Sequence, residues 1–169
     1  MMTQTATEKA DPTLMVYPET LSMETREPLE FVDVTDLVRD VVHRSRVRNG
    51  FVNVQSLHTT TAILVNEHEP LLIEDMKKAL HRLAPCEASY QHDDFGIRTV
   101  NMCPGEEKNG HAHCKALFLR TSETLNIFEG ALRLGRWQRI FLVELDRPKQ
   151  RSVSVMILGH PAFDGDPWP

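Results

Sequence analysis

Short apolar runs that follow one another without an intervening helix constrain this fold more than any other feature of the chain. Phe51–Leu57 and Ala62–Val65 flank a polar turn, His58-Thr59-Thr60-Thr61, and Leu125–Phe128, Arg139–Leu145 and Ser152–Leu158 are further β-rich runs. Within the last of these, Val153, Val155 and Ile157 share one face while Ser152 and Ser154 take the other, the two-residue period of a half-buried strand. Only two segments carry helical spacing. Val34–Val47 places Leu37, Val38, Val41 and Val42 on a stripe, with Asp33 or Thr35 as cap and Asn49-Gly50 as the stop. Glu69–Leu83 has Pro70 in its first turn and a stripe of Leu72, Met76, Ala79, Leu80 and Leu83. Strands that outnumber helices and adjoin one another predict an α+β fold. We expect a compact single domain of largely antiparallel β-sheets with two main helices, not a doubly wound parallel sheet.

A chain of 169 residues fits one core. Residues 14–159 are expected to form the domain. The polar residues 1–13 are expected to be disordered, and residues 160–169, with three prolines, to form a tail that leaves the core. A net charge of −5 argues against broad nucleic-acid or membrane binding. No stretch approaches the ~20 apolar residues of a membrane span, and the N-terminus has no secretory pattern. Cys86, Cys103 and Cys114 are odd in number and never spaced Cys-x-x-Cys, which fits reduced thiols in a cytoplasm.

The chemistry-bearing residues are mostly histidines. His58 ends an apolar strand face and precedes three threonines. It reads either as the rim of a pocket or as a buried imidazole bonded to backbone. Glu67 lies at a strand end, whereas Glu69 suits a helix start. Asp75 borders the stripe of the second helix, where a carboxylate needs a donor, a cation or a metal. His92 sits among acids in Tyr90-Gln91-His92-Asp93-Asp94. In His111-Ala112-His113 both rings share a face if the segment is extended; if it is helical they diverge and only one can serve a given site. Lys115, Arg136 and the hydroxyls of Thr59 and Thr60 are candidate phosphate donors.

Taken together, SLHTTTAI at 56–63, Asn66-Glu67 with Pro70 and Asp75-Met76, YQHD at 90–93, GHAHCKA at 110–116, LGRWQ at 134–138 and the run 151–159 resemble the YjbQ-like family over residues 20–159. Two departures stand out: Glu69 replaces a frequent Asp, and the C-terminal tail is longer than usual. The resemblance implies an α+β domain rich in antiparallel strands, assembly as a homotrimer, and a secondary thiamine-phosphate synthase activity. That reaction joins a thiazole phosphate to a pyrimidine diphosphate with loss of pyrophosphate. Carried over by position, the recurrent polar residues of the family fall on His58, Glu67, Asp75, His92, His113 and Lys115; no histidine is required at 68 or 111.

These readings converge on a His-rich site. His58, His92 and His113 are expected to hold a divalent metal, with Glu67 and Asp75 as catalytic carboxylates and Thr59, Thr60, Lys115 and Arg136 as substrate contacts. Three nitrogens favour zinc or a similar ion; magnesium, which prefers oxygen ligands, is the alternative suited to a diphosphate. The competing expectations are an oligomeric module that binds a metal or a small phosphorylated ligand without turnover, and a metal-dependent hydrolase or lyase.

Overall fold

The computed structural model describes residues 14–161. The expectations for residues 1–13 and for most of the C-terminal tail lie outside this range. The described residues form eight strands: β1 (Met15–Glu24), β2 (Phe31–Asp33), β3 (Val47–Ser56), β4 (Thr61–Glu67), β5 (Ser122–Phe128), β6 (Ala131–Leu132), β7 (Gln138–Glu144) and β8 (Gln150–Pro161). The α-helices among them are α1 (Thr35–Ser45), α2 (Pro70–Leu83) and α3 (Gly110–Ala116), and a 3-10 turn spans Gln91–Asp93. A five-stranded sheet runs β1-β8-β3-β5-β6 and a three-stranded sheet runs β2-β7-β4. Every strand pairing is antiparallel. The fold is α+β, as the adjacency of strands implies.

β3 and β4 are neighbours in sequence but belong to different sheets, so the turn at 57–60 carries the chain from one sheet to the other. The small sheet is apolar on both faces, which explains why β7 reads as an unbroken apolar run. Ile140 and Leu142 pack with Val38, Val41 and Val42 of α1 and with Val52, Val54, Val153, Val155 and Ile157 of the large sheet. Phe141 and Val143 point the other way, toward Leu80 of α2 and Ala112 of α3. Each such buried side chain contributes about 1.5–3 kcal/mol.

Both expected helices are present, with differences at their ends. In α1 the stripe is Val38, Val41 and Val42, while Leu37 is exposed. Asp33 Oδ1 accepts the Thr35 N–H at 3.0 Å, and Thr35 Oγ1 accepts the Ile140 N–H at 2.8 Å. The helix stops earlier than Asn49-Gly50, with Arg46 in the left-handed region at φ 58°. Asn49 and Gly50 instead lie in β3 beside a register shift. Gly50 faces Gly159 of β8 so closely that a side chain at either would meet the opposite backbone. The start of α2 is capped by Glu69, whose carboxylate accepts the N–H groups of Leu71 and Leu72 at 2.9 and 2.7 Å. β8 continues to Pro161, two residues beyond the expected end of the domain.

Candidate functional site

The 3-10 turn and α3 are pinned together by one carboxylate. Asp93 Oδ1 accepts the N–H of Asn109 at 2.9 Å and of Gly110 at 2.8 Å. Gly110 permits this approach, because a Cβ there would stand 2.6 Å from Tyr90 Cβ. The contact brings His92 and His113 side by side, with ring centroids 4.6 Å apart at 64°. His92 Nε2 is buried and has no partner, and neither has the buried Oδ1 of Asn109. Buried polar groups are otherwise paired, so this nitrogen beside a second imidazole marks a candidate ligand position. Replacing Gly110 with Ala is expected to cost about 1–3 kcal/mol by overpacking against Tyr90. It should also part the two histidines, and denaturant titration together with the His92–His113 imidazole NMR contacts would show it.

α3 is helical, so His111 and His113 diverge and only His113 joins His92. Burial, and then the nearby charges of Lys115 for His111 and of His92 for His113, hold both below the usual 6.5. Asp93 and Asp146 oppose this shift at both residues. His58 is likewise lowered, by burial and then by Arg151. Neutral imidazoles at neutral pH are the form that binds a metal. In the unfolded chain these groups titrate near 6.5 and take up protons before the folded chain does. Their stabilising contribution is therefore full above about pH 6.5 and is lost as pH falls toward their folded values. The melting temperature should drop between about pH 7.5 and about pH 5.5 by an amount that His58→Asn or His111→Asn reduces.

The other expected site residues are dispersed. His58 accepts the Ser152 N–H at Nε2, 2.8 Å, so it takes the backbone-bonded alternative, and the three imidazoles of 58, 92 and 113 do not close on one point within the chain. Thr59 is exposed, and Thr60 is buried with its hydroxyl accepting from Arg151 at 3.3 Å. Lys115 is not presented to a ligand. Its side chain is fully buried, its Nζ donates to the Ala84 carbonyl at 2.7 Å, and burial lowers its pKa. The reason is helical phase: α3 turns residue 115 inward, beneath the end of α2. Arg136 lies over the Trp137 ring, 4.6 Å from its centroid. Asp75 does not border buried surface; it is exposed and paired with Lys78 at 3.2 Å. Glu67 is half-buried at the far end of β4 from the His58 turn. Six strand steps, roughly 20 Å, separate Glu67 from Thr61, the first residue of β4. His68 is held by Asp33 at 2.9 Å and its ring packs edge-on against Phe141.

Sequence reasoning passed over the acids that organise the region. Glu144 and Arg151 form a buried bidentate pair, Nε–Oε2 2.6 Å and Nη2–Oε1 2.5 Å. Asp146, also buried, accepts from Arg147 at 3.0 Å and Lys149 at 2.8 Å. The signal was available as charges in 144–151 placed directly after the apolar run of β7. Arg147 and Lys149 line a groove of about 360 Å³ together with Asn109 and Glu106.

A family model described as UPF0047 protein YjbQ-like matches residues 19–160. The chain belongs to the YjbQ-like family. A UPF0047 protein of Methanothermobacter thermautotrophicus is 36% identical over 146 residues, covering 86% of this chain and 94% of that protein. One from Archaeoglobus fulgidus is 36% identical and covers 82% and 98%. The crystal structure of a YbjQ-like protein of unknown function from Sulfolobus solfataricus superimposes with a TM-score of 0.79 at 35% identity, covering 88% of this chain and all of that one. These YjbQ-like relatives establish the fold and the family.

Proposed function

We propose that this YjbQ-like protein is a cytoplasmic enzyme of small phosphorylated metabolites, with thiamine-phosphate synthase activity centred on His92 and His113. The observation that carries the reading is the buried, unpaired Nε2 of His92 beside the His113 ring. The donor set fits a divalent ion of the zinc type, with nitrogen ligands from His92 and His113. Such an ion, when bound, supplies positive charge against the diphosphate that leaves as the thiazole nitrogen takes the pyrimidine methylene carbon. Asp93 fixes the two imidazoles relative to each other through α3. Arg147 and Lys149 offer cationic donors in the adjoining groove. Among the described residues no membrane-length apolar helix occurs.

Neither Glu67 nor Asp75 joins the histidine pair in a group of three ligand atoms within 4.8 Å, so a single chain does not assemble the full set of expected catalytic groups. A trimer in which a neighbouring copy brings its carboxylates to the pair resolves this, and the exposed Leu71, Leu117, Phe118 and Trp137 offer apolar surface for such contacts. The same separation favours a second reading, an oligomeric binding module without turnover. Combining the thiazole phosphate and the pyrimidine diphosphate with purified protein, and following thiamine phosphate by chromatography, decides between them. Metal-dependent product formation supports the synthase; stoichiometric ligand retention without product supports the binding module.

A further inference from the structure

A second cluster of ligating side chains lies outside the histidine pair. His81 occupies the last turn of α2, and Cys86 and Glu87 follow in the bend after the helix ends at Leu83. One ligand atom from each of the three lies within 4.8 Å of the other two, the one such group of three among the described residues. Glu87 sits between its neighbours, with Oε1 3.2 Å from His81 Nε2 and Oε2 accepting from Cys86 Sγ at 3.2 Å. Its carboxyl is held below the usual range by its own backbone N–H, then by the Cys86 thiol. Cys86 and Glu87 are exposed and His81 is half-exposed, so an ion can reach them. Beneath them the chain is fixed: Lys115 Nζ donates to the Ala84 carbonyl, and the Tyr90 hydroxyl donates to the Pro85 carbonyl at 2.8 Å. The backbone that leads into Cys86 and Glu87 is thus tied down at two successive carbonyls by buried or half-buried donors.

We propose that His81, Cys86 and Glu87 form a binding site for a borderline-soft divalent ion such as zinc. Imidazole nitrogen, thiolate sulfur and carboxylate oxygen are the three zinc ligands found in proteins, and three of them leave the fourth tetrahedral position to water. Binding converts the Cys86 thiol to thiolate and releases its proton to solvent. Cys86 and Glu87 also line a groove of about 380 Å³ with Ser89, Tyr90, Asp93 and Lys108, so the water-bearing position has room for a small ligand in place of water. The site is independent of the histidine-pair reading, whose ligands contain no sulfur.

The test is cobalt(II) titration of the full chain, reduced and freed of metal by chelator, followed by absorbance. A thiolate ligand gives an intense near-ultraviolet charge-transfer band that nitrogen and oxygen ligands do not. Wild type should show the band, and Cys86→Ser should lose it. The double variant Cys103→Ser/Cys114→Ser, in which Cys86 is the sole thiol, should keep it, as should His113→Ala. His81→Ala should require more cobalt for the same band. All these positions except 113 and 114 are exposed or on a helix surface, and circular dichroism checks that each variant folds. No band in wild type, or an undiminished band in Cys86→Ser, overturns the proposal.

Discussion

Replacing Glu144 with Ala should destabilise the protein by about 3–5 kcal/mol, the cost of leaving a buried guanidinium without its partner. Glu144 is fully buried and Arg151 nearly so. The carboxylate is saturated: besides the two bonds from Arg151, Oε2 accepts from Thr25 Oγ1 at 2.9 Å and Oε1 from the Asp146 N–H at 2.9 Å. Arg151 in turn reaches Thr60, and the Thr60 carbonyl accepts the Leu145 N–H at 3.1 Å. Losing the pair would therefore also loosen the His58–Thr60 turn that carries the chain between the sheets. Removing both charges with Glu144→Leu/Arg151→Met should recover most of the loss, because desolvation of an ion pair consumes much of what its attraction returns. Urea unfolding at one fixed protein concentration measures both effects, the concentration being held because assembly would otherwise shift the midpoint. A single-variant loss under about 1 kcal/mol would mean that Arg151 finds solvent or another acceptor.

The largest effect on activity is expected at His113. His113→Ala removes one of the two nitrogens at the proposed ion and leaves the fold intact, since the side chain is only half-buried and α3 is held by Asp93 and by Ala112 in the core. Thiamine-phosphate formation should fall by roughly 10³-fold or more, as the several kcal/mol that a bound cation gives to charge stabilisation is lost with it. Asp75→Asn should keep most of the metal. If a neighbouring copy brings Asp75 to the pair, it should still lower the rate. Equal product from wild type and His113→Ala would move the activity away from this site and leave the binding-module reading in its place.

The helices and most strands were legible because their apolar periods are clean, as in Val38, Val41 and Val42 of α1 or Val153, Val155 and Ile157 of β8. β1 was not. Its inward residues Met15, Tyr17, Leu21 and Met23 are interrupted by Pro18 and Glu19, which an outer strand of the sheet tolerates. α3 has too few residues to display a helical stripe, so the divergence of His111 from His113 and the inward turn of Lys115 needed coordinates. The pairing of His92 with His113 depends on Asp93 and Gly110, a long-range contact that no local pattern encodes. The ligand set of His81, Cys86 and Glu87 carries no sequence signature, because it mixes three residue types across a helix end and contains no paired cysteines.

The proposed chemistry depends most directly on whether His92 and His113 hold an ion. Zinc content after equilibrium dialysis, measured in a Cys86→Ser background that silences the second site, tests it. The Cys86→Ser protein should retain an ion per chain that Cys86→Ser/His113→Ala does not. Equal zinc content in the two would contradict it.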